Sequence, residues 1–159
     1  MRKLMIGLLI PLVLISSVGR ADAGVGAFLS WWNGQDMGDG VGFGAKTKFS
    51  LVPLVNVDGR LSYHTFGTPD IAVIPLELAA SANVGLFNGG VGGGYYIFNG
   101  RDEDATNEWG GFLFIGADLT VAGIGVFGEL KYTLVETSLD GRTRKADGFG
   151  VSVGASLGL

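Results

Sequence analysis

The sequence predicts an all-β protein, an eight-stranded antiparallel up-and-down barrel that spans a membrane and is preceded by a signal peptide. Three observations support this fold class. Apolar and polar residues alternate with a period of two along most of the chain, which is typical of strands with two different faces. The connections between the expected strands alternate in length, and charged residues share one strand face opposite an apolar face.

The N-terminal residues have the parts of a secretory signal peptide. Arg2 and Lys3 give a positively charged start, an apolar stretch covers residues 4–15, and small residues precede the expected cleavage site. A membrane-anchoring helix is the alternative, but at 1.5 Å per residue this stretch spans only about 18 Å of a hydrocarbon core of about 30 Å. We therefore predict a signal peptide at 1–23 and a barrel domain at 24–159.

The composition excludes several classes of protein. Of the 159 residues, 47% are hydrophobic and 16% are charged, which is too apolar for a disordered chain, and 29 glycines argue against long helices. The formal net charge of −4 gives no basic surface for nucleic acid, so we expect no nucleic-acid partner. With no cysteine and a single histidine, we expect no cofactor and no metal site.

Eight strands are predicted after the cleavage site, each bounded by clusters of Gly, Asn, Asp, Pro or Arg. We place them at residues 24–33, 40–50, 54–66, 73–86, 90–99, 109–121, 125–137 and 148–159. The fourth strand is the least regular, because Pro75 cannot donate a hydrogen bond to a neighbouring strand and residues 76–82 would also suit a short helix.

The predicted connections make the two ends of the barrel different. Those at 34–39, 67–72, 100–108 and 138–147 are long, whereas those at 51–53, 87–89 and 122–124 are short. Outer-membrane barrels have long loops outside the cell and tight turns in the periplasm. We call these two ends of the barrel the loop end and the turn end.

Charged residues near the strand centres share a face, and we expect them to form a polar network inside the barrel. The network comprises four positive side chains, four negative side chains and one histidine. Its members are Lys46, Lys48, Asp58, Arg60, His64, Glu77, Asp118, Glu129 and Lys131. Residues two apart on a strand point the same way, so we expect Glu129 to bind Lys131.

Either a soluble or a membrane barrel could carry such strands. In a soluble barrel the charges would face water, whereas in a membrane barrel they would be enclosed and the apolar faces would meet lipid. We favour the membrane barrel because the charges balance in sign, as an enclosed network requires. In addition, a Lys or Arg facing the middle of the bilayer would cost about 2–4 kcal/mol.

Aromatic residues cluster near the predicted strand ends, where the two membrane interfaces would lie. At the loop end we predict an interfacial girdle of Trp31, Trp32, Phe66, Phe98 and Trp109. At the turn end a thinner ring would consist of Phe49, Phe87 and Phe127.

Four segments carry a resemblance to a known family. They are IPLEL at 74–78, GGVGGGYYIF at 89–98, FGELKY at 127–132 and GFGVSVGASLGL at 148–159. Together they resemble the small outer-membrane β-barrel domains of Gram-negative bacteria that are related to the OmpA and OmpX barrels. The resemblance implies a barrel in the bacterial outer membrane that contacts lipid and lipopolysaccharide. It also implies that the outer-membrane assembly machinery recognises the last strand.

Side chains just fill the lumen of an eight-stranded barrel, so we expect a closed, monomeric barrel with a structural or cell-surface interaction role. We expect no catalytic site. Two alternatives remain open: an outer-membrane lipid-modifying enzyme that uses His64, and a secreted soluble barrel that binds an apolar ligand. Ser62 and Asp58 share a strand face with His64, but residues two apart on a strand are separated by roughly 7 Å. A catalytic partner for His64 would therefore have to come from the second or the fourth strand.

Overall fold

The computed structural model describes residues 23–52, 54–67, 70–100, 106–121, 123–139 and 142–158. Their strands are β1 (Ala23–Gly34), β2 (Gly38–Val52), β3 (Val55–Gly67), β4 (Asp70–Val84), β5 (Phe87–Gly100), β6 (Glu108–Val121), β7 (Ile124–Leu134), β8 (Glu136–Leu139), β9 (Arg142–Lys145) and β10 (Gly148–Gly158). Within these ranges no helix is long and apolar enough to cross a membrane. The predicted signal peptide lies outside the described residues, except for Ala23 at the start of β1.

Eight of the strands close into one antiparallel barrel, in the order β1-β10-β7-β6-β5-β4-β3-β2. The barrel closes where β1 pairs with β10, from Gly24 opposite Gly158 to Gly34 opposite Gly148. Every barrel strand therefore has a partner on both sides, and no edge is left open. The predicted eight-stranded up-and-down barrel is confirmed.

The remaining strands, β8 and β9, form a separate hairpin at the loop end. The seventh strand was expected to run to residue 137, followed by an irregular loop, but β7 ends at Leu134. The chain leaves the wall at Val135, whose backbone N–H donates to Asp147 and whose carbonyl accepts from Ala146. The hairpin contacts Thr106, close before β6: the Thr137 hydroxyl donates to the backbone carbonyl of Thr106, and the Thr106 N–H donates to the carbonyl of Ser138.

The fourth strand is extended over its whole length, so the short helix considered at 76–82 does not form. Pro75 nevertheless disturbs the ladder between β3 and β4. Pairing is present at Leu61 opposite Leu76 and again at His64 opposite Val73, but it is interrupted between these pairs. Proline has no N–H to donate, which explains the gap.

The two ends of the barrel differ less in connection length than predicted. At the loop end β1 and β2 are joined by residues 35–37 and β3 and β4 by residues 68–69, because these strands extend further than expected. The connections after β5 and β7 are long. At the turn end each connection has two residues, and Gly85, Gly123 and Leu54 have positive φ angles of 63°, 83° and 76°.

Burial in the barrel is the reverse of that in a water-soluble protein. Outward-facing Leu29 and Leu78 are 67% and 65% exposed, whereas Arg60 and Glu129 are only 7% and 6% exposed. Among the described side chains that face outward from the wall, charge is confined to the loop rim, at Asp39. Such a surface suits lipid and contradicts the soluble-barrel alternative.

Candidate functional site

All of the predicted network residues point into the lumen, because each occupies an inward-facing position of its strand. These residues are Lys46, Lys48, Asp58, Arg60, His64, Glu77, Asp118, Glu129 and Lys131. Seven of these nine residues are paired across the lumen, from β2, β3 and β4 to β6 and β7 on the opposite side of the closed barrel. Asp58 and His64 instead bond to the serines Ser81 and Ser30.

The centre of the network is a cluster of two cations around one carboxylate. Glu129 accepts from Lys46 Nζ at 2.8 Å and from the two terminal nitrogens of Arg60 at 3.0 and 3.4 Å. All three side chains are buried. Two charge-assisted contacts from Arg60 fix the orientation of the carboxylate.

Aromatic rings cover the central cations. Lys46 Nζ lies 3.4 Å from the centre of the Phe127 ring, and the Arg60 guanidinium lies 4.1 Å from the centre of the Phe114 ring. Cation–π contacts of this kind are stronger where water is excluded. Phe127 was predicted to belong to the outer ring at the turn end, and this prediction is wrong because its side chain points into the lumen.

Glycines make room for these rings on the opposing strands. A Cβ on Gly90 would lie 2.7 Å from the Phe114 ring, and a Cβ on Gly92 would lie 2.5 Å from the Phe112 ring. Each glycine is the cross-strand neighbour of the phenylalanine that covers it. The side chains of Phe112 and Phe114 therefore pack against the backbone of Gly92 and Gly90 on β5.

A second cluster lies on the loop-end side of the centre. Glu77 binds Lys131 Nζ through both oxygens, at 2.8 and 3.0 Å, and accepts from the Tyr96 hydroxyl at 2.8 Å. The expected pair of Glu129 with Lys131 is wrong. Both side chains point into the lumen from β7, and each reaches across to a different strand instead of to the other.

A third cluster lies near the turn end and is partly accessible. Lys48 Nζ binds Asp118 at 3.0 Å and Asn83 at 3.3 Å, and Asn88 also donates to Asp118 at 2.8 Å. Nearby, Asp58 accepts a hydrogen bond from Ser81. This third cluster joins β2, β4, β5 and β6.

His64 is paired with a serine from β1, a strand that was not considered as the source of its partner. The Ser30 hydroxyl lies 2.7 Å from His64 Nε2. The imidazole is buried and packs edge-on against Trp32, with ring centres 5.5 Å apart. His64 Nδ1 has no hydrogen-bond partner among the described residues, so the orienting group of a catalytic triad is missing there.

An apolar plug closes the loop end of the lumen, above His64. It comprises Trp32, Met37, Phe66, Ile71, Val73, Tyr96, Phe98, Val135 and Ala146. Three of these residues, Trp32, Phe66 and Phe98, were predicted to lie in the interfacial girdle, and that prediction is wrong. They occupy inward positions of their strands and are at most 5% exposed.

The outward-facing aromatic residues of the loop half are a partly different set. Trp31 and Trp109 point outward as predicted, with exposures of 40% and 78%. Three cross-strand aromatic pairs accompany them on the wall, namely Phe43 with Tyr63, Tyr95 with Trp109, and Tyr132 with Phe149. Tyrosine and tryptophan are the residues enriched where a bilayer meets water.

Little free space is left among these side chains. The cavity between Ser30, His64, Glu77 and Lys131 has a volume of about 10 Å³, which is close to the minimum for one water molecule. Within the described ranges, no group of three His, Cys, Asp or Glu side chains is placed to hold a metal ion. The plug and the bonded polar clusters can hold a rigid interior.

Sequence reasoning did not include Tyr96, Ser30, Ser81 and Asn88 in the lumen network. The alternation of strand faces contained the signal for two of them. Tyr96 and Asn88 are an even number of residues from Gly90, Gly92 and Gly94, and all of these face the lumen from β5. The predicted network contained only charged residues and His64, so these neutral hydrogen-bonding partners were left out of it.

Comparison with solved structures identifies the fold. Neisserial surface protein A matches with a TM-score of 0.64 and 8% identity, over 87% of this chain and 97% of that one. The N-terminal β-barrel domain of OprF from Pseudomonas aeruginosa matches with a TM-score of 0.56 and 12% identity, over 88% of this chain and 100% of that domain. The chain has the fold of a small outer-membrane β-barrel.

This barrel is also similar to a de novo designed transmembrane β-barrel, with a TM-score of 0.50 and 9% identity over 86% of this chain and 95% of the design. No protein-family model matches the sequence, and no curated protein matches it. The similarity to these solved barrels confirms, at the level of the fold, the resemblance inferred from the sequence.

Proposed function

We propose that the protein is a small barrel of the bacterial outer membrane with a structural or cell-surface interaction role. The observation that carries this proposal is that charged side chains point into the lumen and apolar side chains point outward. Arg60, Glu129 and their partners are enclosed and mutually bonded, whereas the outward face of the wall is apolar. Exposing this apolar surface to water would be unfavourable, whereas the acyl chains of a bilayer solvate it.

The barrel is proposed to be closed. The plug around Trp32 and Phe66 lies above the network, and the three polar clusters fill the space below it. Bulk passage of solutes would require both layers to move. This supports a structural role over that of a porin.

The proposed partners follow from the surface. Lipid and lipopolysaccharide would cover the wall, and the outer-membrane assembly machinery would engage β10, on which Phe149, Val151 and Val153 alternate outward. We propose a monomer, since β1 pairs with β10 and the closed sheet offers no edge for another copy.

Fractionation of a Gram-negative host and planar-bilayer recording test the proposal together. We expect the protein in the outer-membrane fraction and a gel mobility that changes on boiling, as for a folded barrel. We expect no sustained conductance steps from the purified barrel. Recovery as a dissolved periplasmic protein would refute the membrane location, and stable open-channel currents would refute the closed lumen.

A further inference from the structure

The three connections at the turn end are built from apolar residues, glycine and proline. They consist of residues 53–54, 85–86 and 122–123, with the sequences PL, GL and AG. The strand residues on either side of them are apolar as well. Tight turns in contact with water usually carry Asn, Asp or Ser, because these side chains bond to the local backbone. The turn end of this barrel has none of them in its connections.

The apolar side chains at this end are displayed outward. Leu54 is 67% exposed, Val84 is 75% exposed and Phe87 is 71% exposed. Leu54 also has a φ of 76°, a backbone conformation that favours glycine, so this turn tolerates strain to carry a leucine. The Leu54 carbonyl accepts a hydrogen bond from the Asn83 N–H at 3.0 Å, so the backbone of this turn is held while the apolar side chain remains exposed.

Several polar side chains near the turn end point into the lumen and are bonded there. Ser50 donates to Asn56 at 2.8 Å, and Asn83 accepts from Lys48 at 3.3 Å. Among the residues that the structure describes, the charged side chains lie either in the lumen network or toward the loop end. The charged pair nearest the turn end, Lys48 with Asp118, is partly accessible but points into the lumen, so the described outward face of the turn end carries no charge.

We propose that the turn end is immersed in the periplasmic leaflet of the membrane, so that the three turns contact lipid instead of water. The apolar surface is continuous with the wall that the proposed function places in lipid. On β6 and β7, for example, it runs from Val126 through Ile124 to Val121, all exposed. This continuity favours lipid as the occupant. A surface that docks a protein would be expected to differ from the lipid-facing wall next to it, and no such change is seen between Val126, Ile124 and Val121.

The immersion sets the position of the barrel along the membrane normal. The hydrophobic layer begins at the turns, so the loop-end half and its hairpin are displaced outward. The inference rests on the proposed function, because it requires the wall to be in lipid. It goes further by assigning the turns, which in outer-membrane barrels commonly face the periplasm, to the lipid.

Single-cysteine variants test the immersion, since the natural chain has no cysteine. Leu54→Cys and Leu86→Cys report on the turns, Leu130→Cys on the middle of the wall, and Gln35→Cys on the loop end. Each variant is refolded into nanodiscs of phosphatidylethanolamine and phosphatidylglycerol, which leave both membrane faces open to water. A charged, membrane-impermeant maleimide is then added, and the change of gel mobility on boiling verifies folding.

We expect the turn cysteines to react at least about tenfold more slowly than Gln35→Cys, because an apolar environment suppresses the reactive thiolate. All variants should react equally after unfolding in detergent. Fast labelling at Leu54→Cys and Leu86→Cys with protection at Leu130→Cys would overturn the immersion and leave the proposed function intact. Fast labelling at Leu130→Cys would refute the proposed function itself. Turns that are labelled in nanodiscs but protected in whole cells would indicate a protein partner and would overturn the lipid assignment.

Discussion

Lys46 and Arg60 are direct cross-strand neighbours on β2 and β3, and both bind the same carboxylate, that of Glu129. Like charges placed opposite each other destabilise a sheet unless a counter-charge is present. Here the counter-charge comes from β7, on the other side of the barrel. The closure of the barrel and the pairing of its charges therefore depend on each other.

Replacing Glu129 by alanine should be strongly destabilising. The substitution leaves Lys46 and Arg60 facing each other in the buried centre without their carboxylate. Breaking a buried ion pair by removing one partner typically costs about 3–5 kcal/mol. The free energy of unfolding can be measured from urea titrations of the barrel in lipid vesicles. Loss of less than about 1 kcal/mol would contradict the structural role of the network, since that is the range of exposed pairs.

Glu136→Ala is the matched control for this substitution. Glu136 lies 3.9 Å from Lys145 on the loop-end hairpin, where both side chains are at least half exposed. Exposed pairs of this kind contribute about 0–1 kcal/mol, so the free energy of unfolding should change little. A triple variant with Glu129→Leu, Lys46→Met and Arg60→Leu should regain much of the stability lost in Glu129→Ala, because no unpaired charge remains.

Tyr96→Phe should weaken the second cluster. The Tyr96 hydroxyl donates to Glu77 at 2.8 Å, and hydrogen bonds to charged groups contribute about 1.5–3 kcal/mol. Tyr95→Phe, at the preceding residue, is the control, because Tyr95 faces outward and packs against Trp109. The same urea titration should show a loss for Tyr96→Phe only. Equal effects of the two changes would refute the assignment of the hydroxyl to the network.

The strands and the inward direction of the charges were predictable because both follow from the period of two. A residue such as Arg60 reveals its face through its own neighbours in sequence. The pairing of the charges was not predictable in this way. Glu129 binds Lys46 and Arg60 instead of Lys131, because partners across a lumen are set by the order of strands around the barrel and by their stagger.

The misplaced girdle has a related cause. Trp31 and Trp32 are adjacent in sequence, so one of them must face inward wherever the strand continues to alternate. Trp32, Phe66 and Phe98 were assigned to the girdle because they lie near strand ends. Which face of the strand each one occupies was not taken into account. Parity relative to the charged residues of the same strand, such as Phe66 relative to His64, would have assigned Phe66 to the interior. The β8–β9 hairpin was missed because it lies beyond the wall, where the two-face pattern gives no signal.

Trp32→Ala should open the loop end of the lumen. Trp32 is 2% exposed in the plug, and truncation of such a core aromatic typically costs about 3–5 kcal/mol. We expect conductance steps in planar bilayers from this variant and none from the natural barrel, because the space above His64 becomes accessible. Trp31→Ala, one residue earlier and outward-facing, should leave conductance unchanged. A silent Trp32→Ala barrel that is shown to be folded would indicate that the polar clusters alone close the lumen.

Leu130→Arg should place a charge on the lipid-facing wall. Leu130 is an outward-facing residue near the middle of β7, and arginine near the bilayer midplane costs about 2–4 kcal/mol. Leu134→Arg, on the same face at the loop-end terminus of β7, should cost only about 0–1 kcal/mol, since the penalty falls toward the interface. Comparing the free energies of unfolding of the two variants in vesicles tests how deep Leu130 and Leu134 lie in the bilayer. Equal costs would contradict a bilayer around β7.

His64→Ala should leave the acyl chains of the host's lipid A and phospholipids unchanged. Although Ser30 and His64 form a hydrogen-bonded pair, the pair is buried beneath Trp32, and His64 Nδ1 has no orienting partner among the described residues. An acyl chain on the outer wall cannot reach Ser30 without passing through the sheet or the plug. Mass spectrometry of lipids from cells producing the natural barrel, His64→Ala and Ser30→Ala makes the comparison. A change of acylation that depends on both residues would establish the lipid-modifying enzyme instead.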